Sequence, residues 1–280
     1  MREMRHRVLI AGCGYVGTAL GERLVAGGHH VWGLRRDPSE LPATFNKVAA
    51  DLAQRSDLDA LPGGLDYVVY CASAGDASDA AYRRAYVQGL ETLLDAIQGR
   101  GVRRTFFTSS TAVYAQSGGE CVDEASETRP VHFSGLRTLE AEGVLRSSAS
   151  PSTVLRCAGI YGPGRTRLID AVRQGTASMS SRITNRIHRD DIAGTIAFLI
   201  ERDLGPEVLL LCDDEPAPQR DVTSFLAAQL GVPVPDPTQA EAAARGGDKR
   251  CSNARLRAIG YRLLYPSYRD GYAAMLRALP

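Results

Sequence analysis

Short apolar runs alternate with amphipathic stretches along the first 160 residues or so. Arg7-Val8-Leu9-Ile10-Ala11 is apolar almost throughout, the pattern of a parallel strand buried on both faces. Residues 15–26 read as a helix, which Gly27-Gly28 suits as a stop. Further strands are predicted over 30–34, 47–50, 67–71, 104–108 and 153–156. A long helix is predicted over 77–98, with Ala, Leu and Ile along one side, and another over 134–146. This alternation selects an α/β fold, a doubly wound parallel sheet with helices on both faces. Past residue 160 the rhythm changes. Tyr161-Gly162-Pro163-Gly164 reads as a loop, 192–200 as a helix and 208–211 as one more strand. Pro216-Ala217-Pro218 and Val232-Pro233-Val234-Pro235-Asp236-Pro237 read as breaker-rich connectors. The expected division is a first domain over 1–160 and a smaller lobe over 161–280, interleaved with the last strands of the sheet.

Composition narrows the function classes. The 280 residues are 44% hydrophobic and 23% charged, with a net charge of +1, which is ordinary globular usage. So even a balance gives no support to nucleic-acid binding. No apolar run approaches the ~20 residues that a membrane-spanning helix needs, and the basic stretch 1–7 leads into glycines rather than a secretory core. Six cysteines lie far apart with no C-x-x-C pair. They point to reduced thiols in a cytoplasmic protein, not to a metal site or a disulfide framework. The basic residues are skewed: 31 are arginine and only Lys47 and Lys249 are lysine.

Chemistry enters at Gly12-Cys13-Gly14-Tyr15-Val16-Gly17, a G-x-G-x-x-G turn that leaves a predicted strand and opens a predicted helix. One glycine serves the tight turn, the next lets backbone approach a pyrophosphate, and the third packs helix on strand. A dinucleotide is therefore the expected ligand. Arg35-Arg36 follow the second strand, where an NAD enzyme usually carries an acid. A guanidinium fork suits a 2′-phosphate, which favours NADP(H) over NAD(H), although Asp37 keeps NAD open. Asp51-Leu52 follow the third strand within reach of an adenine, and Ala72-Ser73-Ala74 follow the fourth with small side chains where a cofactor passes.

From here the chain resembles the extended short-chain dehydrogenase/reductases, the NAD-dependent epimerase/dehydratase family. The motifs are the glycine turn, Thr108-Ser109-Ser110-Thr111-Ala112-Val113-Tyr114, Leu155 through Gly164, and Ile187-His188-Arg189-Asp190-Asp191-Ile192, in family order. The resemblance implies a Rossmann-type NAD(P) domain with a small C-terminal substrate lobe, and a pairing of two copies through sheet-flanking helices. It implies that Thr108 and Ser109 lie beside the cofactor and that Ser110 hydrogen-bonds the substrate oxygen. The family's Y-x-x-x-K pair does not carry over: one register puts Ser134 and Thr138 there, the other Phe133 and Arg137. Tyr86 also stands where the family usually has Asn.

The proton chemistry must then be rebuilt or be absent. Ser110, Tyr114, Tyr161 and His188 are the candidates, and His188 has an unperturbed pKa of ~6.5 that suits the task. Against that stand a packing aromatic at 161 and a structural histidine beside Asp190 and Asp191. Cys157 reads as a buried small hydrophobe. His132, Asp123 and Glu124 read as a solvated loop, and the segment from Lys249 to Leu256 as a helix cap followed by a cationic helix, with Arg250 and Asn253 as cleft candidates. The expected activity is that of an oxidoreductase or epimerase on a small hydroxyl, carbonyl or sugar-like substrate. The alternative is an NADP(H)-binding sensor or assembly protein with little catalysis. Nucleotide-sugar dehydration would need a further carboxylate near Ser110, where Thr111-Ala112 stand.

Overall fold

A computed structural model of the chain describes residues 5–236 and 247–279. Residues 1–4 of the basic N-terminal stretch and Pro237 of the second connector lie outside the described residues. Two compact units are present. The first comprises Met1–Val113, Thr128–Arg156 and Ile192–Leu209, and the second Tyr114–Glu127, Cys157–Asp191 and Leu210–Pro280.

The chain begins with β1 (Arg7–Ala11), α1 (Tyr15–Ala26), β2 (His30–Arg35), β3 (Asn46–Ala49) and β4 (Tyr67–Tyr70). A helical run follows as α2 (Asp79–Tyr82), a π-helical stretch over Arg83–Gln88 and α3 (Gly89–Ile97). Then come β5 (Arg104–Ser110), β6 (Glu120–Val122), α4 (Phe133–Ser147), β7 (Ser152–Cys157), β8 (Gly159–Tyr161) and α5 (Arg167–Arg173). The remainder is β9 (Ile183–Thr184), β10 (Arg186–His188), α6 (Arg189–Glu201), β11 (Val208–Leu211), β12 (Ala217–Pro218), α7 (Gln219–Leu230), β13 (Lys249–Cys251), α8 (Ala254–Ala258) and α9 (Tyr268–Arg277).

Seven strands form one sheet in the order β11-β7-β5-β4-β1-β2-β3. β1 pairs in parallel with both β2 and β4, so the strand order reverses beside β1, the position where doubly wound sheets bind ligands. The sheet is built as the apolar runs predict. Leu9, Val68, Tyr70, Phe107 and Val154 are buried together with Leu90, Leu93, Leu94 and Ile97 of α3, whose i, i+3, i+4, i+7 spacing makes one apolar helix face. The expected Rossmann-type α/β architecture is the one observed.

Two local expectations are corrected. Residues 77–98 do not form one regular helix. The Tyr70 hydroxyl donates to the Ala85 carbonyl, the acceptor that a Gly89 N–H would use in an α-helix, and the run widens to a π-turn there. Pro216-Ala217-Pro218 is not merely a connector. Ala217 and Pro218 pair antiparallel with Thr184 and Ile183, in a two-stranded edge that tolerates proline. The second unit has its own core, in which Ile169 and Val172 of α5, Val222 and Leu226 of α7, and Tyr268, Tyr272 and Met275 of α9 are buried.

Candidate active site

The glycine turn divides its three tasks as its spacing predicts. Gly12 has φ +81°, and a Cβ on it would lie 2.4 Å from the backbone of Ala72 at the exit of β4. Only glycine meets both demands. The amides of Gly12 and Cys13 both donate to the Leu34 carbonyl at 2.9 Å, closing the turn onto β2. Gly17 faces inward, where a Cβ would meet Ile10 Cγ2 at 2.8 Å. Gly14 differs: a Cβ there would find only the Gly12 carbonyl, at 3.9 Å. Packing does not require glycine at 14, whereas backbone that must approach an outside group does. Tyr15 and Val16 open α1, which has no side-chain cap and no acid in its first turn. Its positive dipole end is thus available to an anion, and these residues fit a diphosphate.

Around this turn, Arg35 closes β2 and Arg36 follows it. Asp51 accepts from Ala53 N at 3.0 Å and from Arg84 Nη2 at 2.8 Å, and these partners hold its carboxyl below the usual range. Leu52 packs against the sheet core. Ala72 lies under Gly12, Ser73 is exposed and Ala74 is half-buried.

The end of β5 separates three adjacent hydroxyls. Thr108 donates to the Tyr70 carbonyl at 3.0 Å. Ser109 is buried and donates to Glu142 Oε1 at 2.6 Å. Glu142, fully buried, also takes Arg156 Nε at 3.0 Å and Nη2 at 2.8 Å. This network ties β5, α4 and β7 together, and it commits the Ser109 hydroxyl to Glu142. Ser110 alone of the three keeps its proton for donation, because its Oγ accepts from Ala112 N at 3.1 Å.

The first turn of α4 packs tightly on the turn that follows Ser110: a Cβ on Gly135 would lie 2.3 Å from the Ala112 carbonyl. The residues in both registers of the family's tyrosine and lysine have structural partners. Phe133 stands edge-on to Tyr82 at 5.3 Å, and Tyr82 in turn packs on Tyr86. Arg137 is bidentate to Asp79 at 2.7 and 2.9 Å, and Thr138 donates to the Ser134 carbonyl at 2.7 Å. His132 is no bystander in a solvated loop, since its Nδ1 caps α4 at Ser134 N.

In the second unit, Tyr161 and His188 pair across β8 and β10 and meet edge-to-face at 5.1 Å. Both side chains are buried and closely packed. The Tyr161 hydroxyl donates to the Ser267 carbonyl at 3.4 Å and presses on Gly271, and burial pushes its pKa up. His188 is 1% exposed and packs at a tilt on Tyr265, with ring centroids 4.0 Å apart. Its Nδ1 accepts from Asp190 N at 3.2 Å, and burial pushes its pKa down to about 4, so the ring is neutral near pH 7.

Sequence reasoning gave Asp191 no role of its own and missed Asp213, and both are buried carboxylates of this unit. Asp191 accepts from the amides of Leu264 and Tyr265 at 2.6 and 3.1 Å and so anchors the approach to α9. Asp213 is 2% exposed, and its Oδ2 has no hydrogen-bond partner among the described residues. Burial pushes the Asp213 carboxyl from 3.8 up to about 7. Between those values the folded state holds a proton that the unfolded state releases. Asp213 therefore contributes stability below 3.8 that is lost as pH rises to about 7. His188 acts oppositely, contributing stability above 6.5 that is lost as pH falls to about 4. Asp213→Asn is expected to gain melting temperature relative to the parent as pH rises from 4 to 8. Calorimetric scans giving a pH-independent difference would refute this.

None of the six cysteines forms a disulfide, and burial pushes Cys157 up to about 12, as suits a small hydrophobe rather than a nucleophile. Glu124 is half-buried and ties its loop to β11, its Oε1 accepting from Leu210 N at 2.8 Å. Asn253 occupies a cap position but does not cap: its Nδ2 donates to the Cys212 carbonyl at 3.0 Å and to Asp214 Oδ1 at 2.7 Å. Among the described residues there is no cluster of three or more metal-ligating side chains, and no helix is long and apolar enough to cross a membrane.

Comparison with known proteins agrees with this geometry. Residues 8–203 match the model of the NAD dependent epimerase/dehydratase family. The chain is 29% identical over 300 residues to the 3-diazoavenalumate denitrifying reductase of a Streptomyces species, covering 95% of this chain and 98% of the relative. It is 28% identical over 278 residues to protein YeeZ of Escherichia coli, covering 93% and 96% respectively. A solved structure from Methylobacillus flagellatus, of a protein assigned to the NAD-dependent epimerases/dehydratases, superposes with a TM-score of 0.85 at 39% identity. That likeness covers 98% of this chain and 99% of the other. With its glycine turn at the strand-order reversal and its family match over most of the sheet, this chain belongs to the NAD-dependent epimerase/dehydratase family of extended short-chain dehydrogenase/reductases.

Proposed function

We propose that the protein is an NADP(H)-dependent oxidoreductase that acts on a small carbonyl or hydroxyl compound. The observation that carries the reading is Gly14, a glycine which the interior does not need, at the uncapped head of α1. The turn from Gly12 to Gly17 would hold the diphosphate, Arg35 and Arg36 the 2′-phosphate, and Asp51 and Leu52 the adenosine end. Ala72, Ser73 and Ala74 would leave room for the cofactor to pass, with Thr108 and Ser109 shaping the wall behind it. When bound, the nicotinamide supplies the hydride. Ser110 orients the substrate oxygen and donates a hydrogen bond to it, stabilising the charge that develops there, and the reduced oxygen takes its proton from water. Tyr161 and His188 support the second unit as packed groups. The reductase activity in the name of the Streptomyces relative supports hydride transfer over epimerisation.

In this reading residues 1–160 carry the nucleotide, 161–280 carry the substrate lobe, two copies pair, and the free thiols belong to a cytoplasmic protein. A second reading, a cofactor-binding sensor with little turnover, draws support from the engaged side chains of Phe133, Arg137 and Thr138.

Calorimetry with NADPH and NADH tests the cofactor assignment. Gly14→Val is expected to lower NADPH affinity by about tenfold or more, ~1.4 kcal/mol, with little change in melting temperature. Arg35→Asp is expected to shift the NADPH-to-NADH affinity ratio toward NADH. Unchanged affinity in the first variant removes the turn from the site, and an unchanged ratio in the second removes Arg35. Binding without turnover across a carbonyl panel selects the sensor reading.

A further inference from the structure

Of the two lysines in the chain, Lys47 lies at the surface and donates to the Ser39 carbonyl at 2.7 Å. Lys249 is the unusual one. It sits on β13, which pairs in parallel with β6, and it is only 3% exposed. Its ammonium makes one hydrogen bond among the described residues, to the Tyr114 carbonyl at 3.2 Å, and no carboxylate there lies within ion-pair distance. An ammonium carries three donors, so two are left without an acceptor.

The neighbours do not neutralise it. Arg182 adds a second positive charge, and burial pushes the Lys249 pKa down. On the same wall, Gln116 donates its Nε2 to the Glu127 carbonyl while its Oε1 is buried without a partner. Gly247 brings these groups together: a Cβ on it would lie 2.1 Å from the Gln116 carbonyl oxygen and 3.5 Å from Lys249 Nζ.

A buried cation with one carbonyl acceptor is costly unless something else completes it. In a chain that otherwise uses arginine 31 times, a lysine here is also a chemical choice. A compact ammonium is a point charge for one oxygen, whereas a guanidinium fork needs a planar pair of acceptors.

We propose that Lys249 recognises a carboxylate of the small-molecule substrate. The carboxylate offers an oxygen to each of the two unused N–H donors and brings a negative charge to the buried ammonium. A phosphate dianion costs more to strip of water, so a monoanion is the better match. Lys249 falls within residues 161–280, the substrate lobe of the proposed function. The proposal rests on the oxidoreductase reading only for the ligand being the substrate, and the anion itself can be tested without nucleotide.

Two lysines make the test direct. Protein labelled with 13C at lysine Cε gives two side-chain signals, assigned with Lys249→Met. Acetate is expected to shift the Lys249 signal saturably while Lys47 stays still, and to bind more tightly than inorganic phosphate. Lys249→Met is expected to weaken acetate binding by about 10–100-fold. A Lys249 signal indifferent to acetate overturns the proposal, as does tighter binding of phosphate. These parent-protein measurements stand even where the variant fails to fold. NADPH added to the same sample separates the two claims. Acetate silence with NADPH bound defeats the Lys249 site alone. Acetate binding without NADPH binding defeats the cofactor reading and the substrate role of the anion.

Discussion

Glu142→Ala is expected to destabilise the protein by about 3–5 kcal/mol, the cost of stranding a buried charge. Glu142 is fully buried and Arg156 is 4% exposed, joined by two hydrogen bonds of 3.0 and 2.8 Å, with Ser109 donating a third at 2.6 Å. Truncation leaves the Arg156 guanidinium without its counter-charge and the Ser109 hydroxyl without its acceptor. Arg156 cannot follow water outward, because it is held on β7 within the sheet. The control is Asp79→Ala, which breaks the equally well-formed pair with Arg137. That aspartate side chain is 50% exposed, so solvent screens the pair and the expected loss is far smaller. Urea denaturation of the two variants beside the parent measures both. Similar losses in the two would show that burial does not set the worth of the Glu142 network.

Ser110→Ala is expected to leave NADPH affinity nearly intact and to lower single-turnover reduction of an accepted carbonyl substrate by about 10²–10³-fold, the scale for deleting one donor to a developing oxyanion. The geometry sets Ser110 apart from its neighbour. Its Oγ accepts from Ala112 N at 3.1 Å and so keeps its own proton available, whereas the Ser109 hydroxyl is committed to Glu142. Ser109→Ala should therefore cost stability and spare turnover, the reverse of Ser110→Ala. Nicotinamide absorbance in rapid-mixing experiments and thermal melts separate the two. Full turnover in Ser110→Ala would remove this serine from the mechanism.

Much of the first unit was legible because its signals are local. α1 begins at Tyr15 and ends at Ala26, as the glycines on either side predict, and β1 and β11 match their apolar runs. The φ of Gly12 and the contact of Gly17 with Ile10 agree with a motif read from six consecutive residues. In the second unit, signals were present but overlooked. Ser267 and Asp270 form a capping box at the head of α9, and Gly231 closes α7 in the left-handed conformation. Asn253 shows the opposite failure: a residue type suited to capping, in a capping position, spends its side chain on Cys212 and Asp214 instead.

What the amino-acid order determined by itself was the α/β alternation, the nucleotide-type turn and the family. Each depends on residue period, backbone conformation or spacing within a few positions, and such properties are set by covalent neighbours. What tertiary structure alone decided was the chemistry of individual side chains. Ser109 meets Glu142 33 residues on, and Tyr70 reaches Ala85 to open the π-turn. His188 becomes a neutral packing ring, and Lys249 a buried ammonium short of acceptors. Desolvation and pairing are sums over everything folded around a group, and those neighbours come from distant parts of the chain.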